Sequence, residues 1–269
     1  MEKSKFETLD HKFHVTQHKR EDAVFSIPAI TLLDPKNMSL LIDTYTPMIK
    51  AVESDAAAAY FAGWFTYVAM AKQYVLSNFN QSLDLTLSNL TVQIVPNGTH
   101  FQYVFVVNEW SMIEAPSDEY ERASWRQQEL AAFHGQTVQP IFEAVTTIVD
   151  YPLGQLWGQL PTKFNYFMND WKGSMTQETA CKRIDEDYAG LKALEPSIFG
   201  LKKNPFDVKI RMIEDALDCT KQVRMKNVCC LYYKTEASRY CYTCPRMKEE
   251  GRVEFRTKYR AEKAATASH

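Results

Sequence analysis

The sequence predicts an α+β protein with a predominantly helical body, a small antiparallel β-sheet and a C-terminal lobe that contains a group of cysteines. Three observations support this class. Apolar residues recur at helical spacing over most of the chain, two runs of β-branched and aromatic residues flank a turn signal, and four of the six cysteines lie between residues 229 and 244. With 269 residues, 45% of them hydrophobic, the chain is long enough for one large domain or two smaller ones.

The first helical patterns cover residues 38–53 and 55–77, and Ser54 or Asp55 is the expected N-cap between them. The apolar stretch at 56–71 is too short, and too rich in Ala, Gly and Tyr, for a membrane span. We therefore expect a buried helix there.

A β-hairpin is predicted next, with strands at residues 90–95 and 101–107 on either side of "PNGT". Helical periodicity then returns over 118–133 and 137–149, with a break expected at Gly135.

The remaining patterns are also helical. Residues 151–171 read as an aromatic-rich buried helix that is kinked at Pro161. A further helix follows from Thr176, its expected N-cap, and residues 204–223 predict one more, with Asn204 as N-cap and a proline directly after it. Cys181 and Cys219 fall in these helices, where we interpret them as structural or incidental thiols.

Charge is distributed unevenly along the chain. Residues 1–220 hold 19 Lys and Arg against 28 Asp and Glu, whereas residues 221–260 hold 11 against 4. This change predicts a boundary near residue 221, with a mainly helical body over 1–220 and a basic C-terminal region over 221–269.

The first 22 residues are charged throughout and contain no apolar core of a secretory signal. We therefore expect a cytoplasmic protein without a transmembrane segment, although a peripheral membrane contact stays open. Cysteines in that compartment are expected to be reduced, which favours metal binding or redox chemistry over disulfides.

The cysteine motif reads Cys229-Cys230-x10-Cys241-x2-Cys244. Four thiolates can hold a tetrahedral zinc ion or a [2Fe-2S] cluster. Structural zinc sites usually use two Cys-x2-Cys pairs, but only Cys241 and Cys244 have that spacing here. Adjacent side chains in extended backbone point to opposite faces, so two irons present a wider target for Cys229 and Cys230. The residues favour the cluster and leave zinc, or unligated or disulfide-forming thiols, as alternatives.

With "LYY" after the double cysteine and "CP" at its end, this motif resembles the C-terminal signature of the FhuF-like ferric siderophore reductases. The resemblance implies that Cys229, Cys230, Cys241 and Cys244 hold a [2Fe-2S] cluster. It also implies that residues 1–220 form the substrate-docking body and that residues 221–269 form a C-terminal cluster-binding lobe. Upstream, "FHGQTVQPIFEAV" and "LWGQL" resemble the helical region of that family more loosely, and also the related domain of siderophore synthetases.

The chain departs from the family pattern before the double cysteine. Family members often carry an arginine shortly before it, whereas here Arg224 lies five residues away and Lys226 three. The cationic partner of the cluster or substrate is therefore open at this stage.

The resemblance implies one-electron reduction of a ferric siderophore of hydroxamate or citrate-hydroxamate type, with release of Fe(II). Hard oxygen donors fit Fe(III) far better than Fe(II), so adding one electron labilises the metal. The sequence contains no P-loop, dinucleotide fingerprint, His-Glu-x2-His or Gly-x-Ser-x-Gly motif, so we expect an external electron donor such as a ferredoxin, a flavodoxin or a reductase.

Two other functions are weighed against this one. The first is a zinc-stabilised four-cysteine binding or interaction module without redox activity. The second is a siderophore-synthetase relative, which would require ATP, although no phosphate-binding motif is present.

Candidate substrate-binding residues are basic. As a strand, residues 253–260 would present Arg256, Lys258 and Arg260 on one face, where they could attract an anionic siderophore or an acidic ferredoxin. The alternative is a solvated tail. His134 and Arg126 could contact an oxygen-rich ligand, and the alternative for His134 is a capping or buried hydrogen-bonded histidine.

Two further possibilities are set aside. His11, His14 and His18 share one helical face, but we interpret them as solvated histidines rather than metal ligands. Nucleic acid is not expected as a partner, because the body is acidic and carries no recognised binding module.

Overall fold

The computed structural model describes residues 2–174 and 178–267. Its helices are α1 (Glu2–Phe13), α2 (Pro35–Met48), α3 (Ser54–Phe79), α4 (Glu119–Phe133), α5 (Gln139–Ile148), α6 (Leu153–Trp157), α7 (Leu160–Ser174), α8 (Glu178–Lys192) and α9 (Glu249–Ala267). Its strands are β1 (Val15–Thr16), β2 (Phe25–Pro28), β3 (Gln81–Leu83), β4 (Leu90–Asn97), β5 (His100–Val107), β6 (Met112–Glu114), β7 (Met212–Glu214) and β8 (Gln222–Arg224). The predicted α+β class is confirmed.

Helix α3 lies at the centre of the body, where it contacts α1, α2, α6, α7 and α8. Its alanines at positions 56–59 are fully buried, and such small side chains allow neighbouring helices to approach closely. The helix begins at Ser54 with Glu53 at the N-cap, so the predicted N-cap is one or two residues late. The chain leaves α3 at Asn80 in the left-handed conformation, with a φ of 55°. Among the described residues, no helix has both the length and the apolar character needed to span a membrane.

The main sheet has the strand order β1-β5-β4-β2. Strands β4 and β5 pair antiparallel from Leu90 opposite Val107 to Asn97 opposite His100, which confirms the predicted hairpin. Strand β1 adds a parallel edge beside β5. One face of the sheet packs against the helical core, so the body has a single main core.

The predicted break at Gly135 is wrong. Residues 134–138 instead form a π-helical turn that joins α4 directly to α5. The predicted kink at Pro161 is a full interruption, because α6 ends at Trp157 and α7 begins at Leu160. Pro161 lies in the first turn of α7, where its missing N–H breaks no helical hydrogen bond.

The helix predicted over 204–223 is also wrong. The Asn204 side chain accepts the Phe206 N–H (2.8 Å) and donates to the carbonyls of Leu191 and Leu194 (2.9 and 3.0 Å). Asn204 thus caps the end of α8 instead of starting a helix, since asparagine competes well for local backbone groups. The chain then forms the β7/β8 hairpin, and Cys219 is exposed in its turn. Thr176, the predicted N-cap of α8, lies outside the described residues.

The C-terminal region is helical where a strand was expected at 253–260. Phe255 stacks near Tyr242 (5.2 Å between ring centroids) and near Tyr259 one turn later (5.7 Å), so the alternating aromatic residues fit one face of α9. The β7/β8 hairpin pairs residues from both sides of position 221, and a division of the chain there stays a prediction.

Candidate metal centre

The four motif cysteines lie in the loop between β8 and α9, which folds back on itself. Lys226 N–H donates to the Thr243 carbonyl (2.9 Å), and Cys244 N–H donates to the Cys241 carbonyl (2.9 Å). Leu231, directly after the double cysteine, adopts the left-handed conformation with a φ of 58°. This reversal brings the two halves of the motif together.

The thiols meet in two pairs. Cys244 Sγ lies 3.5 Å from Cys229 Sγ, and both residues are buried, at 1% and 4% exposure. Cys230 forms a hydrogen bond with Cys241, and both are half-buried. The adjacent cysteines therefore face different partners, and all four thiols are free.

Backbone N–H groups point at three of these sulfurs. Leu231 N–H lies 3.4 Å from Cys229 Sγ, and Arg246 N–H lies 3.4 Å from Cys244 Sγ. Tyr232 N–H donates to Cys230. Such donors favour the thiolate form, which is the form that binds metal.

Lys226 supplies the cation that the sequence left open. Its Nζ lies 3.1 Å from Cys230 Sγ. The hydrogen bond with Cys241 and the charge of Lys226 lower the pKa of the Cys230 thiol to about 5. Burial disfavours the Lys226 ammonium, but the Cys230 and Cys241 sulfurs outweigh it and raise the pKa of Lys226. By contrast, burial raises the pKa of Cys229 to about 11.

The body holds this loop at the Cys229 end. The Cys229 carbonyl accepts hydrogen bonds from Tyr151 Oη (3.2 Å) and Gln159 Nε2 (3.0 Å). Gly158, between α6 and α7, approaches Val228 so closely that an added Cβ would overlap Val228 Cγ1. The double cysteine thus rests directly on the α6/α7 junction.

Other contacts fix the rest of the loop. Arg252 of α9 donates to the Cys244 carbonyl (2.8 Å). Lys234 pairs with Asp55 and Glu53 at the start of α3, at 2.6 Å each. The Cys244 end of the motif is therefore tied to α9, and the segment between its two halves is tied to the start of α3.

These residues fit a [2Fe-2S] cluster, which takes four cysteine thiolates and accepts hydrogen bonds at sulfur. Within residues 2–174 and 178–267, no three His, Cys, Asp or Glu side chains converge as ligands of one ion. Two thiols for each of two irons are the donor set that such a cluster requires.

The predicted basic face is not formed as expected. Arg260 Nη2 lies 2.7 Å from Glu214, and Arg256 lies 3.0 Å from Glu249 and 3.6 Å from Glu214. Lys258 is exposed and lies 4.0 Å from Glu262. Because the segment is helical, only Arg256 and Arg260 share a face.

His134 is buried at 1% exposure, and its Nδ1 lies 2.8 Å from the Leu130 carbonyl. Burial lowers the pKa of His134 to about 4. Arg126, with Arg122, pairs with the buried carboxylate of Asp187 and lines a cleft of about 710 Å³ between α4 and α8. The cysteine loop contributes no residue to the lining of that cleft.

The three histidines at the N-terminus do not act together. His14 packs its ring 5.2 Å from those of Trp64 and Tyr67, while His11 and His18 are exposed.

A groove next to Cys230 was missed at the sequence level. It has a volume of about 290 Å³ and is called here the Cys230 groove. Its lining residues are Ala59, Tyr60, Gly63, Trp64, Tyr67, Gln159, Thr162, Lys163, Lys226 and Cys230. The available signal was the spacing of Tyr60, Trp64 and Tyr67, which places three aromatic residues on one face of α3.

Comparison with known families identifies the cysteine loop. Residues 227–246 match the family model described as the FhuF 2Fe-2S C-terminal domain. Residues 227–246 are FhuF-like. The resemblance predicted from the cysteine motif is therefore confirmed over these residues, and an iron–sulfur, iron-related role is supported. No curated protein matches the chain.

Proposed function

We propose that this protein is a ferric siderophore reductase that uses a [2Fe-2S] cluster on Cys229, Cys230, Cys241 and Cys244. The observation that carries the proposal is the pairing of these four thiols inside the segment that matches the FhuF 2Fe-2S domain. The family match supports an iron–sulfur domain and does not specify an activity. Reductase activity is therefore the part of the proposal that needs a test.

The chemistry required of the protein is limited. When bound, a [2Fe-2S] cluster supplies a one-electron carrier. Fe(III) in a siderophore is held by hard oxygen donors, and one added electron weakens that complex. A docking surface beside the thiols is therefore sufficient, and no general base or covalent nucleophile is needed.

The surrounding residues divide the roles of the thiols. Cys229 and Cys244 are buried, so water is excluded from that side. Cys230 and Cys241 are half-buried, and the Lys226 ammonium offsets negative charge at Cys230. An electron would therefore enter and leave on the side of the half-buried pair, Cys230 and Cys241.

The remaining assignments are part of the same proposal. We place the reaction in the cytoplasm and assign electron supply to a ferredoxin, a flavodoxin or a reductase. The substrate is a ferric siderophore of hydroxamate or citrate-hydroxamate type. Arg256, Lys258, Arg260, His134 and Arg126 stay predicted substrate contacts. Replacing Arg256, Lys258 and Arg260 by alanine is expected to raise the apparent KM.

Anaerobic stopped-flow mixing tests the activity. Dithionite-reduced protein is mixed with a ferric siderophore in the presence of a chelator specific for Fe(II). We expect reoxidation of the protein chromophore together with formation of the ferrous chelate, and no reoxidation with the redox-inert Ga(III) complex. Failure of the ferric complexes to reoxidise the reduced protein would contradict the proposal. Full turnover with NADPH alone would contradict the external donor.

A further inference from the structure

The Cys230 groove has the position and size of a ligand site. It ends at the half-buried Cys230, and it shares Tyr67, Thr162 and Lys163 with a second groove of about 900 Å³. Ligand sites for small molecules commonly span roughly 300–1,000 Å³. The two grooves together form one depression that leads to a candidate cluster ligand.

The charge of this depression is positive. Lys163 and Lys226 line the Cys230 groove, and none of its described lining residues is acidic. Arg224 lines the larger groove, where Asp170 is the single acidic side chain among the described lining residues. Since Lys226 forms a hydrogen bond with Cys230, Lys163 is the second cation that lines the Cys230 groove and can meet a ligand there.

Among the residues that the structure describes, no carboxylate pairs with Lys163. Its Nζ donates to the Gly63 carbonyl (2.5 Å) and lies 3.9 Å from the ring centroid of Tyr67. Burial, and then the charge of Lys226, lower the pKa of Lys163 to about 7. The buried Lys72, by contrast, pairs with Glu129 at 2.9 Å. An enclosed ammonium without a counter-ion is costly, and a bound anion would remove that cost.

The opposite wall is aromatic. Tyr60, Trp64 and Tyr67 lie along one face of α3 and line the groove, and all three are only partly buried. Aromatic faces can pack against the organic skeleton of a chelate, while the lysines on the other wall interact with the negative charge of the chelate.

We propose that the Cys230 groove selects ferric chelates of net negative charge that present a carboxylate, and that Lys163 is the residue that recognises this carboxylate. This inference rests on the proposed function and adds its substrate class. Uncharged trihydroxamate complexes would gain the aromatic contacts but not the ion pair, so they bind more weakly.

Binding of redox-inert gallium complexes tests the site without electron transfer. Isothermal titration calorimetry of the cluster-loaded protein would compare the Ga(III) complex of a carboxylate-bearing citrate-dihydroxamate with that of an uncharged trihydroxamate. We expect the anionic complex to bind at least about tenfold tighter, a difference of about 1.4 kcal/mol. Lys163→Gln removes this preference and leaves affinity for the uncharged complex unchanged, whereas Lys163→Arg retains most of it.

A matched control is Lys36→Gln. Lys36 is exposed on α2 and lines neither of the two grooves. The substitution removes the same charge, so unchanged binding excludes a simple effect of net charge. Circular dichroism and iron content that match the wild type show that each variant is folded and loaded.

Equal affinity of the wild type for the two complexes, or wild-type preference in Lys163→Gln, would overturn the inference. The proposed function fails separately. If gallium binding depends on Lys163 but the reduced protein leaves the iron ferric, the site stands and the reductase activity is wrong. If iron reduction proceeds while charge selection is absent, the activity stands and the site assignment is wrong.

Discussion

At the scale of single residues, the contact between Lys226 and Cys230 decides the electrostatics of the centre. An ammonium 3.1 Å from the sulfur of Cys230, a proposed ligand, would stabilise the extra negative charge of a reduced cluster. The family pattern pointed to an arginine at this place, and Arg224 was one of two candidates. The structure selects Lys226, because the fold-back of the loop directs its side chain to the sulfur pair.

Lys226→Met should therefore lower the reduction potential of the loaded protein. We expect a shift of roughly 60 mV, equal to a factor of ten in a one-electron equilibrium. Lys226→Arg keeps the charge and should stay close to the wild type. The measurement is a dithionite titration followed by visible absorbance, and an unchanged potential in Lys226→Met would show that the ammonium does not act on the cluster.

His134 predicts a pH dependence of stability. Its pKa is lowered to about 4 in the folded protein, against about 6.5 in an unfolded chain. As pH falls below 6.5, His134 binds a proton in the unfolded state but stays neutral in the folded state. The free energy of unfolding therefore decreases until about pH 4. Above pH 6.5, His134 is mostly neutral in both states, and protonation of His134 no longer reduces stability.

We expect the wild type to lose about 2 kcal/mol more than His134→Gln between pH 7 and pH 5. Urea unfolding followed by far-ultraviolet circular dichroism at the two pH values measures the difference. Parallel losses in the two proteins would mean that His134 is not held neutral by burial.

At the scale of secondary-structure elements, the α6/α7 junction positions the double cysteine. Gly158 permits the approach of Val228, the residue before Cys229. Gly158→Ala forces Val228 to move, and overpacking of this kind costs roughly 1–3 kcal/mol. We expect lower stability and loss of bound iron during gel filtration.

Gly173→Ala is the matched control for that substitution. Gly173 lies within α7, and nothing stands within 4 Å of an added Cβ. Alanine there should be neutral or should stabilise the helix by up to about 1 kcal/mol. If Gly158→Ala retains as much iron as Gly173→Ala, the α6/α7 junction does not position the double cysteine.

Elements were predictable where one pattern dominates. The long apolar run of α3 and the turn between β4 and β5 have a single reading, and both are confirmed. The helix prediction for residues 204–223 failed because the side chains of Asn204 and Asp215 accept hydrogen bonds from nearby backbone N–H groups, which competes with helix formation. In α9, the spacing of Phe255 and Tyr259 fits both a helix and an alternating strand. The choice between helix and strand depends on the packing against Tyr242, which the sequence does not show.

At the scale of the whole molecule, the cysteine loop is part of the main core. Cys229, Leu231 and Cys244 are buried in the same hydrophobic cluster as the central helices. The sequence identified the four thiols, because their ligand chemistry depends on residue type and spacing. It did not identify the Cys230 groove, because its walls come from α3, α7 and the loop, which only the tertiary fold brings together.

The most direct test of the central claim is the iron and acid-labile sulfide content of anaerobically purified protein, with its reduced-minus-oxidised visible spectrum. We predict two irons and two sulfides per chain and a spectrum that bleaches on reduction. Serine variants of Cys229, Cys230, Cys241 or Cys244 should lose both, while Cys181→Ser and Cys219→Ser keep them. Colourless protein with one zinc per chain and no sulfide would contradict the claim.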